Sequence, residues 1–242
     1  MGDVRLYAGC DLSYPDEKIL SGTAHSLLDA DVSDLTAVLA VNEGAVPKAG
    51  GSLPDDAFIR GNVPMTKEEI RTVSVSKMHL QRDSIIYDVG AGTGSVSVEM
   101  ALQAADGMVY AVEMKEEAVS LIGQNARKMQ VSNLKVIRGT APEAFGELPA
   151  PTHAFIGGSG GHLKEIMAAL LRKNPAVQVV INAVTLETVG QALDCIRSLG
   201  MTDDEVITLS VSRSREAGHS HMMMAGNTVY VISCRGNGED AR

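Results

Sequence analysis

The run DVGAGTG (88–94) constrains this chain more than any other stretch. It follows a short apolar segment, IIYDVG (85–90), and opens an amphipathic one, SVSVEMALQAA (95–105). Glycines at alternate positions between a strand and a helix let the backbone turn sharply and let a ligand come close without a Cβ in the way. The alternation continues downstream. MVYAVEM (108–114), LKVIRG (134–139), THAFIGG (152–158) and AVQVVINAV (176–184) read as strands, with helices at 115–130, 162–173 and 186–200 between and after them. Val/Ile runs alternating with amphipathic helices predict an α/β fold with a parallel sheet covered on both faces. EVITLSVSRSR (205–215) and TVYVISCR (228–235) have no helix between them, only the spacer EAGHSHMMMAGN, and are predicted to pair antiparallel. Upstream, KEEIRTVSVSKM (67–78) reads as a helix with Thr66 as its N-cap and Glu69 completing a capping box.

The spacing of the loop bears on its ligand. A dinucleotide fingerprint is GxGxxG; here the third glycine arrives one residue early, and Asp88 ends the strand before it. A carboxylate there would repel a pyrophosphate but suits a ligand with an amine and a sulfonium, which S-adenosylmethionine has. Glu113, at the end of the next strand, can accept hydrogen bonds from ribose hydroxyls, and GTAPEAF (139–145) leaves room for a flat base.

The front of the chain reads differently. VRLYAGC (4–10) and DLTAVLAVN (34–42) are candidate strands, with a turn at Pro15 and a short helix after it. AVPKAGGSLPDD (45–56) is a boundary signal, so residues 1–52 form a short N-terminal α/β fragment and 53–242 the main domain. Some 50 residues with two strands bury little surface, and the fragment reads as the tail of a larger domain. The last residues, GNGEDAR, read as frayed.

Composition excludes several function classes. The net charge is -9, with no Trp, 5 Tyr and 3 Phe, which argues against nucleic acid or an anionic membrane as partner. No window is apolar enough to span a membrane, the N-terminus is no signal peptide, and the three isolated cysteines make neither a disulfide framework nor a zinc site; the chain reads as cytoplasmic. His219 and His221 have no third ligand near them, so no metal is expected.

LPDDAFIRGNVPMTKEEIR (53–71), DVGAGTGSVSVEMA (88–101), GTAPEA (139–144), FIGGSGG (155–161) and NAVTLET (182–188) together resemble one family. It is the C-terminal, decarboxylating half of the precorrin-6Y methyltransferases of cobalamin biosynthesis, which also exists alone as precorrin-8w decarboxylase. CDLSYPDEKILSGT (10–23) is similar to the closing part of that family's N-terminal tetrapyrrole methylase half. The resemblance implies a class I methyltransferase-like (Rossmann-type) fold of seven strands, mostly parallel, ending in an antiparallel hairpin. It implies S-adenosylmethionine bound by Thr66 and by Gly90, Ala91, Gly92, Thr93 and Gly94, with Glu113 on the ribose and Ala141 near the adenine; Asp88, from its charge, and Thr140, in the third strand-end loop, are candidate cofactor contacts beside them. It further implies methylation of a precorrin at carbon 15 with loss of carbon dioxide from the acetate on carbon 12. Methylation of carbon 5 is not expected, since most of the other half is absent. A homo-oligomer such as a tetramer is compatible with it. Asn227-Thr228 stands where relatives often have Asn-Pro.

A precorrin carries many carboxylates, so an acidic chain must attract it locally. SRSREAGHSHMMMAG (212–226) offers Arg213, Arg215, His219 and His221 against only Glu216, and its methionines offer a pliable apolar surface. Lys67 and Arg71 could add to the rim. The arginines read equally well as solvated strand-end charges. Gly157, Gly158, Ser159 and Gly160 would form a wall nearly free of side chains beside the cofactor loop, a reading preferred to a plain turn. Cys195 reads as packing, and Tyr87 and Glu99 as structural. The alternatives are an RNA or protein methyltransferase of the same fold, which charge and aromatic content disfavour for RNA, and a non-catalytic cofactor-binding assembly module, which the intact loop disfavours.

Overall fold

The structure is a computed structural model that describes residues 4–41 and 51–238. Its contacts divide the chain into two units, Met1–Pro47 and Lys48–Arg242. Residue 42 of the expected second strand, residues 45–50 of the expected linker and 239–242 of the expected frayed end lie outside the described residues. Ser52, expected to close the fragment, donates its hydroxyl to Glu99 and so belongs with the second unit.

The first unit is a three-stranded antiparallel sheet of β1 (Arg5–Cys10), β2 (Lys18–Thr23) and β3 (Thr36–Val41), with β1 in the middle. The helix expected after Pro15 is instead β2. Asp11 and Ser13 take positive φ (50° and 70°) and Ser13 N–H donates to Glu17, which turns KILSGT back along β1 in a register from Cys10↔Lys18 to Arg5↔Thr23. Among the described residues of this unit, Ala8 and Cys10 are the buried apolar side chains. That is a core too small to hold an ordinary domain.

The second unit runs α1 (Glu68–Lys77), β4 (Ile85–Val89), α2 (Ser95–Gln103), β5 (Met108–Glu113), α3 (Glu116–Lys128), β6 (Leu134–Arg138), β7 (His153–Ile156), α4 (Leu163–Lys173), β8 (Gln178–Ala183), α5 (Leu186–Ser198), β9 (Thr202–Leu209), β10 (Ser212–Ala217), β11 (Ser220–Ala225) and β12 (Val229–Arg235). Seven strands form one sheet in the order β6-β5-β4-β7-β8-β12-β9. The five from β6 to β8 are parallel, and β12 runs antiparallel to both its neighbours. From β4 the chain first winds outward through β5 and β6, then returns to β7 on the other side. This reversal leaves a crevice at the carboxyl ends of β4 and β7, where open α/β sheets bind ligands.

Period-two alternation along each strand feeds two cores. Tyr87, Ile156, Val179 and Ile181 pack with Leu163, Met167 and Leu170 of α4 and Cys195 and Ile196 of α5. Ile86, Val109, Phe155 and Val180 pack on the opposite face with Val75 of α1 and Val96 and Met100 of α2. Each such apolar side chain contributes about 1.5–3 kcal/mol by leaving water. Tyr87 is fully buried beside Phe145 and Tyr110, its hydroxyl donating to Pro149 O at 2.8 Å.

The expected strand 205–215 breaks after Leu209. Pairing with β12 ends at Val229↔Leu209, so the polar segment beyond has no partner in the sheet. It folds back on the spacer instead. β10 and β11 form a separate two-stranded ribbon closed by a two-residue turn, Gly218-His219, with Gly218 at φ 62°. The antiparallel pairing expected at the chain's end is made by β9 and β12.

Candidate functional site

A cavity of 1050 Å³ opens at the carboxyl ends of β4, β5 and β7, within the second unit. Its floor is the glycine loop. Gly90, Gly92 and Gly94 take φ of 72°, 57° and 76°, a region costly for other residues. Gly90 is constrained further: a Cβ there would lie 2.7 Å from Gly158 O and 2.9 Å from Gly158 N. The two glycine segments at the ends of β4 and β7 therefore touch backbone to backbone. Gly94 is the left-handed residue that opens α2, packed against Ile122 of α3, and lies behind the cavity wall.

Gly90, Ala91, Gly92 and Thr93 all line the cavity, together with Glu113, Thr140 and Ala141 on the next two strand ends. The Thr93 hydroxyl oxygen is buried and has no hydrogen-bond partner among the described residues. Glu113 is 8% exposed; Oε2 accepts from Gly92 N (3.0 Å) and Oε1 from Met114 N (2.8 Å) and Lys115 N (2.9 Å). The carboxylate thus fixes the loop and the start of α3 together, and keeps acceptor capacity for a further donor.

Asp88 does not reach the cavity. It is fully buried beneath the loop, where Ser97 of α2 donates to Oδ2 and Oδ1 has no partner among the described residues. Burial pushes its carboxyl up to about 7, opposed by the Ser97 hydrogen bond and helped by the nearby Glu113 charge. The expected direct attraction between Asp88 and a sulfonium is therefore not what this geometry provides. Asp88 supports the loop from below.

A strap of residues 52–66 forms another wall. Val63, Pro64, Met65 and Thr66 line the cavity. The strap is held at three places. Glu99 accepts from Leu53 N (3.0 Å) and pairs with Arg71, whose guanidinium also donates to Leu53 O and Thr66 O and lies over the Phe58 ring. Arg71, expected at the rim, is fully buried. Asn125 of α3, also fully buried, accepts from Ile59 N and donates to both Ile59 O and Thr93 O, each at 2.8 Å, joining strap to glycine loop. No reading of the sequence singled out Asn125. A signal was available: it is a polar residue in the apolar stripe Ala118, Leu121, Ile122, Ala126.

Thr66 is not the N-cap of α1. Lys67 takes that place without a side-chain cap, and Asp55 accepts from Glu68 N at 2.9 Å from outside the helix. Glu69, freed of the capping box, pairs with Arg213 of β10: Nη2 to Oε2 at 2.6 Å and Nε to Oε1 at 3.2 Å, with Nη1 3.2 Å from Asp55 Oδ2. Arg213 holds Glu69 below the usual carboxylate range. Burial would raise Asp55, but Lys67, Arg213 and Arg71 together outweigh it and hold it low.

Gly157, Gly158, Ser159 and Gly160 line the cavity, and a Cβ at Gly158 or Gly160 would meet nothing within 4 Å. Arg213 also lines it; Arg215 and His219 do not. In β10, Arg215 shares a face with Arg213 but sits nearer the ribbon's tip, and His219 is in the turn itself. No group of three or more metal-ligating side chains occurs among the described residues, nor any helix long and apolar enough to cross a membrane.

Residues 56–235 match the precorrin methyltransferase domain family. A probable cobalt-precorrin-6B C(15)-methyltransferase (decarboxylating) of Pyrobaculum calidifontis is 42% identical over 190 residues, covering 77% of this chain and 97% of that protein. Among solved structures, the precorrin-6Y C5,15-methyltransferase of Geobacter metallireducens superposes with a TM-score of 0.73 at 34% identity, over 78% of this chain and 100% of that one. The precorrin-8w decarboxylase of Methanobacterium thermoautotrophicum does so with a TM-score of 0.70 at 34% identity, over 75% and 98%.

Proposed function

The chain belongs to the precorrin methyltransferase domain family, and we propose that it methylates carbon 15 of a precorrin from S-adenosylmethionine while the acetate on carbon 12 loses carbon dioxide. One observation carries this reading. The cavity joins the glycine-loop cradle to an open wall nearly free of side chains at the topological switch point.

The residues present fit the cofactor. The glycine loop lies against the Gly158 backbone too closely for a Cβ at Gly90, Thr93 offers an unpaired hydroxyl, and Glu113 offers an acceptor for ribose. Thr140 and Ala141 would face the base and Thr66 the cofactor's other end. When bound, S-adenosylmethionine supplies an already activated methyl group. The chain's part is then alignment of donor and acceptor carbon, which by itself is worth several kcal/mol of the barrier.

Gly158 and Gly160 leave room for a broad flat ring beside the loop, and Met65, Phe155, Ile166, Val184 and Met224 make the walls apolar. Carbon dioxide leaves with cleavage of a carbon–carbon bond, and the electron pair stays with the macrocycle, whose conjugation is the sink. The apolar walls keep water from the departing carboxylate.

The test is incubation with a cobalt-precorrin-6B and S-adenosylmethionine, followed by mass analysis. One methyl gained and one carbon dioxide lost is the expected product. In parallel, calorimetry should detect S-adenosylhomocysteine and not NAD; the reverse preference rejects the reading.

A further inference from the structure

Arg213 is the sole tie, among the described residues, by which side-chain hydrogen bonds join the ribbon β10–β11 to the body of the second unit. Both strands are otherwise exposed along their whole length, and an isolated hairpin is marginal in water. The tie is a bidentate guanidinium–carboxylate pair with Glu69, the geometry in which a free carboxylate would also bind.

The partners of that pair are unequal. Asp55 is served independently by Lys67, Arg71 and the amide of Glu68, and does not need Arg213. Glu69 has Arg213 as its sole side-chain partner among the described residues. Both members of the Arg213–Glu69 pair are nearly half exposed, 46% and 44%, and both line the cavity. Returning Glu69 to water therefore costs little, whereas a buried pair could not be opened this way.

We propose that Glu69 is an internal stand-in for a substrate carboxylate: it holds Arg213 and the ribbon until an acidic side chain of the macrocycle takes Arg213 over. This deepens the proposed function and rests on its tetrapyrrole substrate. The exchange conserves the number of charge-assisted hydrogen bonds and leaves Glu69 hydrated. It gives the enzyme selectivity for a polycarboxylic ring over a neutral one, because a ring without carboxylates cannot release the arginine.

The test uses the full chain, with uroporphyrin, a stable polycarboxylic tetrapyrrole, as probe and S-adenosylhomocysteine as cofactor reporter. Glu69→Gln removes the competitor. It should bind uroporphyrin about threefold to tenfold more tightly than the parent, with cofactor affinity unchanged. Arg213→Ala should bind uroporphyrin at least tenfold more weakly. In the Arg213→Ala background, adding Glu69→Gln should change nothing. Weaker or unchanged binding by Glu69→Gln overturns the inference. So does an equal gain with Arg213 absent, which would make Glu69 only a repulsive charge. If the parent binds the cofactor analogue but neither uroporphyrin nor a precorrin, the substrate reading itself falls, and that outcome is distinct from the others.

Discussion

Glu113 and Glu69 line the same cavity on different terms. Glu113 is 8% exposed and accepts three backbone amides; Glu69 is 44% exposed and holds one arginine. The floor of the cavity is built from buried groups bonded to backbone, with Asn125 and Arg71 bracing strap and loop from behind. The outer rim is built from side chains that water also reaches. A floor of fixed backbone donors suits a small ligand that is always the same. A rim of exchangeable ion pairs suits a large acidic one that must enter, react and leave.

The comparison breaks first at Arg71. If the floor is braced by a buried pair, Arg71→Ala strands the Glu99 carboxylate and should cost about 3–5 kcal/mol. In a thermal melt this is a fall of about 10 °C for a unit of this size. A loss no larger than that of an exposed pair would show that the strap is held by something else.

Asp88 tests the floor through pH. Its folded-state value, about 7, lies above the ordinary 3.8, so between those values the folded protein binds a proton that the unfolded chain has released. Stability contributed by this group is greatest below about pH 4, falls as pH rises toward 7 and is flat above. Asp88→Asn keeps an acceptor for Ser97 and removes the titration. The variant should therefore gain on the parent by up to roughly 1.4 kcal/mol per pH unit across that window, a few kcal/mol in all. Parallel stability curves for the two proteins would reject the assignment.

Gly90 tests the cradle. Gly90→Ala puts a methyl group into the Gly158 backbone at positive φ and should cost about 2 kcal/mol of cofactor affinity, roughly thirtyfold, read by calorimetry with S-adenosylhomocysteine. Gly158→Leu, where a side chain meets open space, should leave that affinity nearly intact while blocking the tetrapyrrole. Equal effects of the two would merge floor and wall into one.

The same division governs what could be read from the sequence. The glycine loop, its flanking elements and Glu113 follow from local pattern, because strand and helix periods and glycine's backbone freedom are written into adjacent residues. The strap could not be read that way. Arg71 is charged and sits in a polar-looking helix, yet it is buried because Glu99 and the Leu53 carbonyl, both well removed in sequence, converge on it together with the nearby Thr66 carbonyl. Thr66 and Glu69 spell a capping box, yet Asp55 caps the helix and Glu69 turns to Arg213. The ribbon was hidden because its residues alternate around a partner that lies only three residues beyond its first strand, in a stretch that looks like a spacer. For Arg71 and Glu69, local propensity gave way to a contact made across the fold.

The smallest predicted effect is at Arg215. It shares a strand face with Arg213 and pairs across the ribbon with Met222, as Arg213 does with Met224, but stands about 7 Å farther toward the tip and outside the cavity. It has no ion-pair partner among the described residues, so its removal breaks nothing in the free protein, and stability should move by less than about 0.5 kcal/mol. If the ribbon's inner face continues the rim, Arg215→Ala should weaken uroporphyrin binding by about twofold, and the loss should fade as salt is raised. A loss as large as that of Arg213→Ala would place the substrate's acidic groups at the tip of the ribbon and move the rim outward. A complete lack of effect at low salt would end the rim at Arg213 and leave Arg215 as a solvated charge.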